Sequence, residues 1–230
     1  MRYRALATDY DGTLAREGVV PPEVLGALQQ ARASGRKLIL VTGRRLDHLF
    51  QVFSHPDVFD SIVAENGALL YQPATGDEKA LAAGPPDALL ALLAQRGVKP
   101  LDVGRVVVAT LQTQERPVLQ AIRSLGLDLE VTLNKGSVMV LPAGVNKGSG
   151  LRAALAELRI ASEHVVAIGD AENDHPFLAA AGCGIAVAGA VPILRETADW
   201  VTQGDAGAGV VEVITRLLED DLRSIDRRRC

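Results

Sequence analysis

Two carboxylates stand two residues apart in a loop that follows a short apolar stretch at residues 4–8. Asp9 and Asp11 end this stretch, and Gly12 and Thr13 follow them. Residues two apart on an extended chain point the same way, so both carboxylates can face one substrate. One can attack phosphorus to form an acyl phosphate, while the other protonates the leaving oxygen and then activates water. Gly12 permits a sharp turn, and Thr13 with nearby backbone N–H groups can hold phosphate oxygens.

Polar residues also follow three other apolar stretches. They are Thr42, Gly43 and Arg44 after KLILV, Glu65 and Asn66 after SIVA, and Asp170, Asn173 and Asp174 after HVVAIG. Ligands bind at the carboxyl ends of strands in an open parallel sheet, so we expect these groups to meet in one crevice. Lys147 precedes the helical stretch GSGLRAALAEL, which places a positive charge near a helix N-terminus, a natural anion site.

The acidic residues of this crevice require a counter-ion. Asp9, Asp11, Asp170 and Asp174 cannot all stay ionised at close range, because like charges raise one another's pKa or demand a cation. Clustered carboxylate oxygens suit Mg²⁺, which is held by a few carboxylates together with substrate phosphate. The sequence therefore predicts a magnesium site.

Strands and helices alternate along most of the chain, which predicts an α/β fold with a Rossmann-like, doubly wound parallel sheet. Residues 81–143 differ: they read as two helices, a strand, and a hairpin formed by LEVTL and SVMVLPAG around the turn signal NKG. The flanking segments are rich in Gly and Pro, as linkers often are. We therefore expect a core domain of residues 1–80 and 144–230 with an inserted α+β cap domain, residues 81–143, called the cap below.

Composition excludes several classes of protein. The 230 residues are 48% hydrophobic and carry a formal charge of −4, so no basic field indicates nucleic acid. No apolar run approaches the ~18 residues that span a bilayer, and the start of the chain lacks a signal-peptide core. Two distant cysteines, Cys183 and Cys230, make neither a disulfide framework nor a zinc site. These features favour a cytoplasmic protein with no nucleic-acid or membrane partner, and the oligomeric state is left open.

Four motifs, in order, resemble those of the haloacid dehalogenase (HAD) superfamily of phosphatases. They are DYDGT at 9–13, VTGR at 41–44, NKG at 146–148 and GDAENDHPFL at 169–178. ENGA at 65–68, with a cap inserted between the second and third motifs, resembles the Cof-type, C2B-capped subgroup. That subgroup includes sugar phosphatases, sucrose-phosphate phosphatase and archaeal phosphoglycolate phosphatases. The resemblance covers nearly the whole chain and implies a HAD core with a C2-type cap.

The resemblance also implies a role for each acidic residue. Asp9 is the expected nucleophile and an Mg²⁺ ligand. Asp11 is the expected general acid/base, with its backbone carbonyl on the metal. Asp170 is a further metal ligand, and Asp174 ligates through water or orients the site.

Other motif residues are implied to bind the phosphoryl group or the substrate. These are Thr13, Thr42, Gly43, Arg44, Asn66, Lys147 and Asn173. The cap of about sixty residues is short for the subgroup, which favours a compact substrate such as phosphoglycolate or a small sugar phosphate.

Alternative interpretations stay open at this point. A phosphomutase or phosphotransferase, or a non-enzymatic protein that binds a phosphorylated metabolite, can use the same scaffold. Glu65 is interpreted as a strand-end charge outside the site, and the four histidines show no ligand spacing. Met139 and Val140 of the predicted hairpin either line the substrate pocket or face the core of the cap.

Overall fold

The computed structural model describes residues 1–134 and 136–225, and within them the strands form a large and a small sheet. The strands are β1 (Ala5–Thr8), β2 (Lys37–Val41), β3 (Ser61–Ala64), β4 (Leu69–Gln72), β5 (Asp77–Ala80), β6 (Asp102–Val103), β7 (Val108–Leu111), β8 (Leu129–Asn134), β9 (Ser137–Pro142), β10 (Val165–Gly169), β11 (Cys183–Ala186) and β12 (Trp200–Val201). The α-helices are α1 (Pro22–Ala33), α2 (Leu46–Val52), α3 (Asp87–Gln95), α4 (Glu115–Ser124), α5 (Lys147–Leu158), α6 (His175–Ala179), α7 (Pro192–Thr197) and α8 (Ala206–Asp220).

The large sheet has the strand order β12-β11-β10-β1-β2-β3-β4-β5. The strands from β12 to β3 are parallel, and β1 lies between β10 and β2, with Ala5 opposite both Val165 and Lys37. Strands β1 and β10 are buried along their whole length, as expected when helices cover both faces of a sheet. The chain reverses its direction of strand addition beside β1, the position at which such sheets bind ligands. The predicted α/β fold with a doubly wound parallel sheet is confirmed.

Strands β4 and β5 extend this sheet as an antiparallel hairpin that the sequence did not reveal. All four residues of β5 are exposed and three of them are charged, so the stretch lacks the apolar pattern of a buried strand. The sequence pattern also does not indicate helix α7, because this helix has only six residues and begins at a proline.

The small sheet has the strand order β6-β7-β9-β8 and belongs to the cap. The expected antiparallel hairpin is β8–β9, with Asn134 opposite Ser137; Lys135, in its turn, lies outside the described residues, as does Cys230. Helices α3 and α4 pack on this sheet through a hydrophobic cluster that includes Leu89, Val118 and Val140. The division into core and cap remains a prediction, and two separate sheets with separate clusters support it.

A smaller apolar cluster joins the core to the cap. Ala68, in the turn after β3, packs with Val106, Val107, Met139 and Leu141 of the cap. Among the described residues, no helix is both long and apolar enough to cross a membrane.

Candidate active site

Four loops leave the carboxyl ends of neighbouring strands and meet beside the cap. The N–H of Asp9 donates to Ile168 of β10 at 2.9 Å, so the loop after β1 starts from the edge of its neighbour. The N–H of Thr42 likewise donates to Val63 of β3 at 2.8 Å. Parallel pairing in register thus brings residues from distant parts of the sequence to one edge, as the sequence predicts.

Lys147 lies at the centre of this edge, at the first turn of α5. Its Nζ is 2.5 Å from Asp9 Oδ1 and 2.5 Å from Asp174 Oδ1. The three residues are only 1%, 3% and 0% exposed, respectively. Asn146 caps the helix by accepting from the N–H of Ser149 at 3.0 Å, which fixes the backbone from which the lysine extends.

Backbone and hydroxyl donors hold one further oxygen of Asp174 and one of Asp170. Asp174 Oδ2 accepts from the N–H groups of Asp170 and Ala171, each at 2.9 Å. The hydroxyl of Thr13 donates to Asp170 Oδ1 at 3.0 Å. These bonds tie the loop after β10 to the loop after β1, so the acidic residues are positioned before any ligand binds.

The buried charges do not balance. Asp9, Asp170 and Asp174 each place a carboxylate oxygen within 4.8 Å of the other two, and the single ammonium of Lys147 lies among them. Burial raises the pKa of Asp9 well above its ordinary value; Lys147 opposes this, and the carboxylates of Asp174 and Asp170 add to it. Burial alone would lower the pKa of Lys147, but Asp174 and Asp9 outweigh it and raise that pKa. The excess negative charge and the hard oxygen donors fit a divalent cation.

Asp11 does not join this acidic group. Its carboxylate forms a bidentate ion pair with Arg44, with Nε 2.7 Å from Oδ2 and Nη2 2.7 Å from Oδ1. The backbone turns directly after Asp11 at Gly12, whose φ of 86° favours glycine. The hydrogen bond to Asp11 raises the pKa of Arg44. Of the four predicted metal ligands, Asp11 is therefore the one whose side chain lies outside the carboxylate cluster.

Thr42 and Gly43 lie beneath the cap. The hydroxyl of Thr42, fully buried, accepts from the N–H of Arg44 at 3.1 Å. A Cβ at Gly43 would lie 3.3 Å from Asn134 Nδ2 and 3.6 Å from the methyl carbon of Met139. The absence of a side chain at Gly43 therefore lets the β8–β9 hairpin approach the core closely.

Asn66 and Asn173 form a buried pair. Asn173 Nδ2 donates to Asn66 Oδ1 at 2.8 Å. Within the described chain, Asn66 Nδ2 and Asn173 Oδ1 have no hydrogen-bond partner. Asn173 lines the cavity and Asn66 does not, so Asn173 is the member of the pair that can meet a ligand, with Asn66 orienting it.

A cavity of about 200 Å³ lies between the two parts of the molecule. The core contributes Asp9, Asp11, Gly43, Arg44, Lys147 and Asn173 to its wall, and the cap contributes Asp102, Val107, Ala109, Asn134, Ser137 and Met139. The two hypotheses for the hairpin each hold for one residue: Met139 lines the cavity, while Val140 belongs to the hydrophobic core of the cap.

The sequence interpretation missed two core residues on this wall. Arg45 Nη1 is 2.5 Å from Asp102 Oδ1, and His48 Nδ1 is 3.7 Å from Asp102 Oδ2. Arg45 directly follows the VTGR motif, and that adjacency was the available signal. No feature of the sequence around Arg45 links it to Asp102, which lies on β6 of the cap.

Glu65 was also missed, because it was interpreted as a strand-end charge. It is 2% exposed, and its carboxylate binds backbone N–H groups of the cap. The acidic cluster found among the described residues contains no histidine.

Comparison with known proteins gives one consistent family. The family model of haloacid dehalogenase-like hydrolases matches residues 6–98 and 102–214. The phosphoglycolate phosphatase of Methanothermobacter thermautotrophicus is 34% identical over 225 residues, covering 94% of this chain and 99% of that protein. Phosphoglycolate phosphatase 2 of Saccharolobus solfataricus is 30% identical over 223 residues, covering 93% of this chain and 91% of that protein.

The fold agrees with that family. The solved structure of a HAD/COF-like hydrolase from Plasmodium vivax superimposes with a TM-score of 0.81 at 18% identity, covering 95% of this chain and 96% of that one. The chain therefore belongs to the family of haloacid dehalogenase-like hydrolases, and within it to the phosphatases.

Proposed function

We propose that the protein is a Mg²⁺-dependent phosphomonoester hydrolase that acts on a small phosphorylated metabolite through an aspartyl-phosphate intermediate. The observation that carries the proposal is the buried contact of Lys147 with Asp9 and Asp174 at the floor of the cavity. This contact supports the proposal because Asp9 as the nucleophile, Lys147 as a fixed cation and the oxygen ligands of a metal ion would all act at one point.

In the first half-reaction, a carboxylate oxygen of Asp9 attacks phosphorus and the bond from phosphorus to the ester oxygen breaks. Asp11, which lines the same cavity, first leaves Arg44 and takes up a proton, and then gives this proton to the departing oxygen. In the second half-reaction, Asp11 takes a proton from water as that water attacks phosphorus and the bond from phosphorus to the Asp9 oxygen breaks. Inorganic phosphate leaves, and both aspartates return to their starting states.

The charges around Asp9 suit a phosphoryl group. Asp9, Asp170 and Asp174 would hold Mg²⁺, which supplies electrophilic stabilisation of the phosphate oxygens when it is bound. Lys147 stays protonated and offsets negative charge on the transferring group. Asp11 must exchange its contact with Arg44 for the leaving oxygen, so substrate binding and release of this ion pair are expected to be linked.

The cavity supports a compact, anionic substrate. Its volume of about 200 Å³ favours a small molecule, and Arg44, Arg45 and His48 lie on its wall. Phosphoglycolate carries a carboxylate that such side chains can bind. The two relatives described above are named as phosphoglycolate phosphatases. A small sugar phosphate is the other candidate that fits this volume.

The test is phosphate release from a panel of small phosphomonoesters, with Mg²⁺ and with EDTA, for the wild type beside Asp9→Asn. We expect Mg²⁺-dependent release by the wild type, highest with phosphoglycolate, and a loss of about 10⁴-fold or more in the variant. Circular dichroism of Asp9→Asn serves as the control for folding.

The outcomes separate the alternatives. Transfer to a second alcohol in place of water would indicate a phosphomutase or phosphotransferase. Binding of the panel without turnover by folded, Mg²⁺-loaded wild type would indicate a non-enzymatic protein. Near wild-type turnover by Asp9→Asn would contradict the mechanism.

A further inference from the structure

The carboxylate of Glu65, at the end of β3 in the core, binds a loop of the cap. Oε1 accepts from the N–H of Arg105 at 2.9 Å, and Oε2 accepts from the N–H groups of Val106 and Val107 at 2.8 and 3.0 Å. Both oxygens are thus occupied by successive backbone donors. A neutral amide cannot reproduce this pattern, because its NH₂ group would face another donor.

The cap loop, residues 104–107, is shaped around this carboxylate. It connects β6 to β7, and the N–H of Gly104 closes it by donating to the carbonyl of Val107 at 2.8 Å. A Cβ at Gly104 would lie 2.6 Å from both carboxylate oxygens of Glu65. The glycine therefore permits an approach that any other residue would block.

The cap loop forms part of the cavity roof. Val107, whose N–H is bound by Glu65, lines the cavity. Val106 and Val107 also pack against Met139, a second roof residue, and against Ala68 of the core. The position of the roof over Asp9 thus depends on where Glu65 holds the loop.

The turn that contains Glu65 also contacts the loops that carry the proposed catalytic residues. Asn66 accepts a hydrogen bond from Asn173, and Gly67 lies so close to the backbone of Asn146 that no side chain fits there. Glu65 and Asn66 have φ values of 51° and 57°, a left-handed conformation that non-glycine residues rarely adopt. Such a conformation persists where contacts on both sides enforce it.

We propose that Glu65 is a positioning residue, whose carboxylate fixes the cap loop in the closed arrangement that completes the substrate cavity. The kinetic part of this inference rests on the proposed phosphatase function; the structural part does not. Without the carboxylate, three backbone N–H groups would face a site with little access to water, an unfavourable state that the loop escapes by moving towards solvent. The roof then opens while Asp9, Lys147 and Asp174 keep their contacts.

The test compares Glu65→Gln and Gly104→Ala, which break the contact from its two sides, with Glu78→Gln as the matched control. Glu78 is a core carboxylate that contacts the side chain of the same loop residue, Arg105, at 2.5 Å, but this pair is largely exposed. Hydrogen exchange at the amides of residues 105–107 is measured in the full chain. We expect exchange about tenfold faster or more in both test variants, and unchanged in the control and at the amides of β1.

Kinetics give the second readout. With the best substrate of the panel, we expect KM to rise about tenfold in both test variants while kcat changes much less, because the catalytic groups do not move. A merely structural role would instead lower the amount of active protein without moving KM.

Three results would overturn the proposal. The first is hydrogen exchange at the amides of residues 105–107 that stays at the wild-type rate in both test variants. The second is an equally large increase of this exchange in Glu78→Gln. The third is faster exchange in the test variants with an unchanged KM. If Glu65→Gln does not fold, Gly104→Ala decides alone, since residue 104 lies outside the strained turn. A wild type that releases no phosphate would contradict the proposed function, whereas amide exchange would still decide whether Glu65 holds the loop.

Discussion

The two walls of the cavity hold their polar side chains in different ways. On the core wall, Lys147, Asp9 and Asp174 are almost fully buried and bonded to one another. On the cap wall, Asp102 keeps 40% of its side chain exposed and pairs with Arg45, which also pairs with Asp47. The proposed nucleophile and its buried partners are thus fixed by the sheet, whereas Asp11, which pairs with Arg44, is as exposed as Asp102.

This difference has a physical cause and an energetic consequence. Breaking a buried ion pair leaves a charge that neither water nor protein compensates, which is strongly destabilising. Breaking an exposed pair costs little, because water and salt replace the partner. Removing the buried cation should therefore cost stability and turnover together, whereas substitutions on the cap wall should mainly change recognition.

The largest effect is expected for Lys147→Met in metal-free protein. Removing the ammonium leaves the carboxylates of Asp9 and Asp174 buried without a cation, so we expect a loss of about 3–5 kcal/mol in the free energy of unfolding. Urea denaturation in EDTA measures it. Lys79→Met is the matched control, because Lys79 pairs with Glu157 at an exposed site, and it should cost less than about 1 kcal/mol. Equal losses in the two variants would remove the contrast between buried and exposed pairs.

A smaller effect is expected from pH on the contribution of Asp9 to stability. Because burial raises the pKa of Asp9 well above 3.8, the folded protein retains this proton where the unfolded chain has lost it. The contribution of Asp9 therefore falls as pH rises from about 3.8 towards the raised pKa, with a slope of up to about 1.4 kcal/mol per pH unit. The stability of Asp9→Asn minus that of wild type, in EDTA, should accordingly grow with pH. A difference that shrinks with pH would mean that the attraction of Lys147 outweighs burial.

The smallest effect on stability is expected for Asp102→Asn on the cap wall. Its pairs with Arg45 and His48 are partly exposed, so the free energy of unfolding should change by less than about 1 kcal/mol. Arg45 and His48 lose the carboxylate that orients them, and KM should rise by up to about fivefold with kcat nearly unchanged. A fall in kcat as large as that of Asp9→Asn would place Asp102 with the catalytic groups instead.

The sequence predicted that the strand-end residues of the core meet at one edge, because that geometry follows from local rules. Asp9, Thr42 and Asp170 each follow an apolar strand, and parallel strands in register must place their ends at one edge. The motif order added Lys147. The excess of carboxylates over cations at that edge is visible in the composition of these loops alone.

The cap wall was less predictable, because its contacts depend on how the two parts dock. Arg45 directly precedes α2 and Asp102 lies on β6, and no periodicity links them. Glu65 shows the same limit: a charge after a strand usually faces solvent, and only the approach of the Gly104 loop buries it. The ion pair of Asp11 with Arg44 also needed coordinates, since nothing in the sequence links these two side chains.

The pairing of β1 with β10 has a consequence for how the protein is made. Ala5 lies opposite Val165, so the centre of the large sheet joins the beginning of the chain to a segment that is synthesised after the whole cap. Closing so long a loop is entropically costly and slow. The strands that precede Asp9 and Thr42 therefore stay exposed and partly unpaired until most of the chain has left the ribosome. During that interval the nascent chain, rather than the finished enzyme, is the form most prone to aggregation.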